Sequence, residues 1–186
     1  MNISEINKLV EDYGKDIYSF CKKLTYNEYD AEELYQDTFL KVMDVADRID
    51  AENNPKSYLI SVSISLWNNK KRKYARRNRI APTEHIDEEN SINIYKTDYT
   101  PEDEVVKKEL YELINKVVSE LDDKMRIPFL LFYNSGMSVE NISKVVDCPV
   151  GTVKSRLFNA RTIIKNKLEV YGVDRAWIWE LVTVII

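Results

Sequence analysis

Among the 186 residues there is one histidine, two cysteines and only four glycines and five prolines. The lone histidine, His85, has no second His or Cys at ligand spacing, which removes the usual zinc arrangements and leaves it without a catalytic partner. Cys21 and Cys148 stand 127 positions apart, too few and too scattered for a disulfide framework; they read as buried, reduced thiols. No uncharged stretch reaches the length of a membrane span, and Met1-Asn2-Ile3-Ser4-Glu5 lacks the basic start and apolar run of a signal peptide, so the expected location is the cytoplasm. A phosphate loop, a metal cluster and a nucleophile beside a base are all missing, so the chain reads as a non-enzyme with no cofactor, no metal and no small-molecule substrate.

What remains is 44% hydrophobic and 31% charged, an ordinary globular balance. Scarce glycine and proline, with Leu, Ile, Val, Lys and Glu recurring at three- and four-residue spacing, predict an all-α protein. The net charge of −4 is unusual for a nucleic-acid binder, so the distribution of charge matters more than its sum.

Apolar positions Ile6, Leu9, Val10, Tyr13, Ile17, Phe20 and Leu24 predict a first amphipathic helix. A second is expected to begin near Asp30 as its cap, with Ala31, Leu34, Thr38, Val42 and Val45 on one stripe. From Asp30 to Glu52 eight residues are acidic and two basic, giving this helix a strongly negative face. After a loop over residues 50–55, a third helix carries Tyr58, Leu59, Val62, Leu66 and Trp67, then runs into residues 70–79, seven of which are cationic. Residues 82–104 hold two prolines, eight acidic side chains and no apolar period, the composition of a solvated linker. Helical patterning resumes through residues 105–121, 125–133, 139–146 and 150–168.

The expected organisation is therefore two small helical domains joined by a flexible acidic linker. The first spans 1–80, the linker 81–104, a four-helix domain 105–170, and an apolar tail 171–186. The tail is too short to span a bilayer; it reads either as an extra packing helix or as a docking or autoinhibitory segment.

The most informative stretch runs from Gly136 to Arg156. Ile142 and Val145 give one short helix a packing face, Val153, Leu157 and Ile164 give the next its own, and a tight turn joins them as a helix-turn-helix. Thr152, Lys154, Ser155, Arg156 and Asn159 then fall on the N-terminal half of the second helix, where recognition helices meet base edges and phosphates. Residues 153–167 contain five basic and no acidic side chains, as a phosphate-facing helix needs.

The string Cys148-Pro149-Val150-Gly151-Thr152-Val153-Lys154-Ser155-Arg156-Leu157-Phe158-Asn159-Ala160-Arg161 resembles the recognition helix of extracytoplasmic-function (ECF) sigma factors. Independently, Asp30-Ala31-Glu32-Glu33-Leu34-Tyr35-Gln36-Asp37-Thr38-Phe39-Leu40-Lys41-Val42 resembles that family's helix that docks on core RNA polymerase. The resemblance implies a sigma factor that directs core polymerase to promoters and helps open the DNA. Leu34, Gln36, Asp37 and Phe39 would lie at or near the polymerase contact. Asn53, Asn54, Lys56, Ser65 and Asn69 occupy the positions of a base pocket at the minus-ten element, with Lys70, Arg72, Lys73 and Arg76 gripping phosphates nearby. Thr152, Lys154, Ser155, Arg156, Phe158, Asn159 and Arg161 would contact the minus-thirty-five element. An anti-sigma factor is the further implied partner.

Tyr58 stands where many relatives have Trp, Ser65 where many have Asn, and Phe132 where Arg is frequent, so the base preferences differ from the common pattern. Pro128 is a further departure, with a kink expected there. Trp67 and Tyr74 are open to base stacking or to core packing. Two other readings remain: a stand-alone helix-turn-helix regulator, which leaves the acidic and basic helices of the first domain unexplained, and a polymerase-binding adaptor or antagonist, against which the basic runs argue.

Overall fold

The computed structural model describes residues 3–25, 27–44, 55–80 and 101–174. All regular structure among them is helical: α1 (Ile3–Thr25), α2 (Glu28–Asp44), α3 (Pro55–Ile80), α4 (Pro101–Ser119), α5 (Asp123–Tyr133), α6 (Val139–Val145) and α7 (Val150–Val170). The chain divides into two compact units, with the division between residues 91 and 92. The loop positions Asn53 and Asn54, His85, most of the acidic linker and the tail beyond residue 174 lie outside the described residues.

In the first unit α1, α2 and α3 pack on one another. The shared core takes Ile17, Phe20 and Leu24 from α1, Ala31, Leu34, Phe39 and Val42 from α2, and Leu59, Ile60 and Ile64 from α3. These residues recur at three- and four-residue intervals, so each helix turns one stripe inward. Gly14 marks the close approach of α1 to α2: a Cβ there would sit 3.0 Å from Tyr35 Oη. Tyr35 in turn meets Tyr18 and Phe39 edge to face at centroid distances of 5.5 and 5.1 Å.

The start of α2 corrects the expected cap. Asn27, not Asp30, closes the helix: its Oδ1 accepts from the Asp30 amide at 3.0 Å and its carbonyl accepts from the Ala31 amide at 2.9 Å. Asp30 is thereby placed inside the first turn, with its carboxylate available to a neighbouring helix.

One polar contact is sealed inside this core. Thr38 donates to the Leu34 carbonyl at 2.7 Å, Ser63 donates to the Leu59 carbonyl at 3.0 Å, and the two hydroxyls lie 3.0 Å apart. With one hydrogen each, one of the two hydroxyls shares its hydrogen between its own helix carbonyl and the other hydroxyl, and the contact so made ties α2 to α3 and offsets the cost of burying both. Cys21 is buried beside them; burial pushes its thiol up to about 12, with a smaller opposing effect from a hydrogen bond to Ser63.

The second unit packs α4, α5 and α6 around α7. Val153, Leu157, Ala160, Ile164 and Leu168 form the buried stripe of α7 against Ile114, Val117, Phe129, Leu130, Leu131 and Ile142. α4 begins at Pro101, inside the segment expected to be linker through residue 104. Proline at the first helical position suits a helix N-terminus, where the missing N–H costs nothing.

α5 runs unbroken through Pro128, whose ring is buried. Asp122 caps it by accepting from the Lys124 amide at 2.7 Å. Ser138 caps α6 in the same way, accepting from the Asn141 amide at 3.2 Å. The turn after α6 is closed by Asp147 in the left-handed region, φ 49°, and by the Cys148 amide donating back to Ser143 at 3.1 Å. Ser143 Oγ adds a bond to the Cys148 carbonyl at 2.7 Å, so α6 and α7 meet through a doubly fastened turn.

Candidate DNA and polymerase interfaces

With its apolar stripe committed to the core, α7 exposes Lys154, Ser155, Phe158 and Asn159 together. Phe158 is 68% exposed although it is a large aromatic. Thr152 and Arg156 are half-buried on the side towards the turn, where an Arg156 terminal nitrogen lies 3.5 Å from Cys148 Sγ. Arg161 is half-buried on the other flank: its Nε donates to Tyr133 Oη at 2.7 Å. Pro149 caps α7 with no side-chain bond, its carbonyl accepting from Thr152 and Val153. Gly151 in that first turn has open space around its Cα, so internal packing does not require a glycine there.

In the first unit, Leu34 and Phe39 are buried, at 3% and 7% exposure, and serve to seat α2. Gln36 and Asp37 are exposed beside them. The sequence reading missed two exposed apolar side chains on α2, Leu40 and Met43, at 58% and 45% exposure. Their signal was their position off the Ala31-Leu34-Thr38-Val42 stripe, where an apolar residue has no core to enter. The outer face of α2 thus combines carboxylates, an amide and a small apolar patch.

The basic run is almost wholly exposed along α3: Arg72, Lys73, Arg76, Arg77 and Arg79 all face solvent, as do Ser65 and Asn69. Lys70 is different. Its ammonium donates to Asp30 at 2.6 Å and to Glu33 at 2.7 Å on α2. Burial alone pulls Lys70 down, but the hydrogen bonds and charges of the two carboxylates outweigh it and hold the lysine above its ordinary value. Lys56 pairs in turn with Asp16 of α1 at 2.5 Å. Two of the cations assigned to DNA by resemblance are therefore held by carboxylates of their own unit.

A groove of about 380 Å³ runs between α2 and α3, with Leu34 and Leu66 at its base, Glu33 and Asp37 on one wall, and Asn69, Arg72, Lys73 and Arg76 on the other. Trp67 is half-buried, its indole N–H enclosed without a hydrogen-bond acceptor among the described residues, whereas Tyr74 is exposed. Among the described residues no helix is long and apolar enough to cross a membrane.

The model of sigma-70 region 2 matches residues 9–77, and that of sigma-70 region 4 matches residues 111–164. The chain belongs to the ECF sigma factors. It is 28% identical over 168 residues to the ECF RNA polymerase sigma-E factor of Haemophilus influenzae, covering 88% of this chain and 87% of that one. With the ECF RNA polymerase sigma factor SigW of Bacillus subtilis it shares 28% identity over 164 residues, 86% of this chain and 87% of the relative.

Two solved structures share the fold. The sigma factor RpoE of Bartonella quintana, determined with the anti-sigma factor NepR, gives a TM-score of 0.75 at 23% identity over 90% of this chain and 99% of that one. CnrH, determined with the cytosolic domain of CnrY, gives 0.63 at 20% identity over 91% and 90%. As a sigma factor the chain directs RNA polymerase to promoters and is not itself an enzyme. The region 2 match contains the acidic α2 and the basic α3; the region 4 match contains the helix-turn-helix.

Proposed function

We propose that this sigma factor divides its work between three surfaces. The outer face of α2, with Gln36 and Asp37 beside Leu40 and Met43, meets core polymerase; Leu34 and Phe39 act from beneath by fixing the helix. The exposed cations of α3, Arg72, Lys73 and Arg76 foremost, hold phosphates at the minus-ten element, with Lys56, Ser65 and Asn69 on the same helix and Asn53 and Asn54 before it. α7 reads the minus-thirty-five element in the major groove through Lys154, Ser155, Phe158 and Asn159, with Thr152, Arg156 and Arg161 on its flanks.

The observation that carries this division is the separation of charge within one small unit: α2 exposes carboxylates and α3 exposes cations. A basic run of that density favours phosphates irrespective of sequence, whereas the mixed face of α7 offers hydrogen-bonding and apolar contacts to base edges. Each good bidentate base contact is worth about 1–3 kcal/mol of discrimination.

An anti-sigma factor that covers one or more of these surfaces is the regulatory partner in this reading, supported by the similar RpoE, which was determined with the anti-sigma factor NepR. The place of action is the cytoplasm, where polymerase and promoter are found.

Band-shift assays with promoter DNA, with and without core enzyme, test the division. The prediction is a specific complex that requires core enzyme and is lost with Asp37→Lys. A specific complex on palindromic DNA without core enzyme points to a stand-alone regulator, and core binding without any DNA complex points to an adaptor.

A further inference from the structure

At the end of α5, Phe132 and Tyr133 meet Arg161 of α7. The Arg161 guanidinium carbon lies 5.5 Å from the Tyr133 ring centroid and 5.6 Å from that of Phe132, while its Nε donates to Tyr133 Oη at 2.7 Å. The two rings stand edge to face at 5.1 Å, and Tyr133 rests on the buried Phe129 at 4.6 Å. The phenol is thus anchored in the core, and the guanidinium is fixed by one bond and two ring faces. Among the described residues no carboxylate pairs with Arg161, and no acceptor takes the hydrogens of its terminal nitrogens.

Arg161 also has a definite place on α7. Lys154, Phe158, Arg161 and Lys165 follow one another at four, three and four residues, a single stripe about 16 Å long at 1.5 Å per residue. Beyond the exposed Lys154 and Phe158, the half-buried Arg161 and Lys165 of that stripe flank the outward line of Ser155, Asn159 and Thr162, all exposed. When a helix enters the major groove, its outward line meets base edges and its flank meets the backbone wall.

We propose that Tyr133 is a positioning residue that sets Arg161 as a clamp for one phosphodiester beside the minus-thirty-five element. The inference rests on the reading of α7 as the recognition helix. Arginine has a long side chain with much rotamer freedom and a planar fork that recognises phosphate best when its plane is set. Tyr133 sets that plane through Nε and leaves the hydrogens of the two terminal nitrogens for another acceptor. The contact carries affinity and register and no base information.

The test uses the full chain with core polymerase on a promoter duplex selected by transcription, with affinity measured between 50 and 200 mM salt. Tyr133→Phe, which removes only the hydroxyl, is expected to weaken binding about threefold to tenfold, and to reduce the slope of log affinity against log salt by up to about one. Arg161→Ala should do at least as much, the double variant should be no weaker than Arg161→Ala, and the ranking of single-base-pair promoter variants should stay as in wild type. Arg161→Lys keeps the charge but loses the Nε bond, and should reproduce the loss seen for Tyr133→Phe.

Wild-type affinity and salt slope in Tyr133→Phe, wild-type binding by Arg161→Lys, or a changed base ranking in Arg161→Ala would each overturn the proposal while leaving the recognition helix in place. A wild-type chain that forms no promoter complex overturns that reading and the clamp together.

Discussion

The Lys70 ammonium lies 2.6 Å from Asp30 Oδ1, a contact that joins the basic run of α3 to the acidic start of α2 across 40 residues of sequence. Glu33 takes the same ammonium at 2.7 Å, so this cation is compensated twice before any DNA arrives. Its role is to hold two helices together, and it differs in this from the exposed cations that follow it.

Substitution separates the two roles. Lys70→Ala should leave the salt dependence of promoter binding unchanged, whereas Lys73→Ala or Arg76→Ala should each lower its slope by about one. Because the side chains of the Lys70 network are 31% to 47% exposed, its loss should cost no more than about 1 kcal/mol in urea unfolding. Filter binding at several salt concentrations, with matched unfolding curves, checks both.

The buried Thr38 and Ser63 hydroxyls, 3.0 Å apart, make a second prediction. Thr38→Val removes the contact across the interface while Ser63 keeps its bond to the Leu59 carbonyl, and should cost about 1 kcal/mol. Thr38→Val combined with Ser63→Ala should cost less than the sum of the two single changes, because the paired desolvation is removed together. Chemical denaturation of the four chains closes this cycle.

Lys23 gives the fold a pH dependence. Burial pushes its ammonium down to about 8, from an ordinary 10.5. Between those values the unfolded chain holds a proton that the folded chain has released, so Lys23 makes stability rise with pH in that window. Cys21, pushed up to about 12 from 9.0, acts in the opposite sense above pH 9. Lys23→Met retains Cys21 and isolates the lysine: its stability advantage over wild type should be largest at pH 7 and shrink by pH 9.5. Urea midpoints at the two pH values measure the difference.

Gly151 carries the fourth prediction. A Cβ at this helical position would meet nothing within 4 Å, so Gly151→Ala should not disturb packing and should raise stability by about 0.5–1 kcal/mol through helix propensity. If the first turn of α7 approaches the DNA backbone closely, the same methyl group should weaken promoter binding. Melting temperature and promoter affinity should therefore move in opposite senses.

Much of the fold was legible because burial repeats along each helix. Ala31, Leu34, Thr38 and Val42, or Val153, Leu157 and Ile164, identify an inward stripe without any knowledge of the neighbouring helix. Helix ends were less legible. Pro101 and its acidic neighbours have the composition of a linker and also the chemistry of a helix start, and composition alone does not separate the two. Asn27 and Asp30 are both good caps, and only backbone geometry distinguishes them.

For the candidate interfaces, resemblance picked out segments, but it did not separate the faces of a helix. Leu34 and Phe39 belong to a motif associated with polymerase, yet they turn into the core, and Leu40 and Met43 carry the exposed apolar surface. Contacts between distant residues were the least legible of all. Neither the Lys70 pairing with Asp30 nor the Arg161 bond to Tyr133, 28 residues away, leaves a periodic trace.

As a sigma factor this chain directs core polymerase to its promoters. Run-off transcription by purified core enzyme on a mixed promoter library, with and without the chain, tests it most directly. Discrete new start sites, each preceded by shared minus-ten and minus-thirty-five sequences, are expected only with the chain and should disappear with Asp37→Lys. An unchanged transcript pattern, with the chain nevertheless bound to DNA on its own, would contradict it.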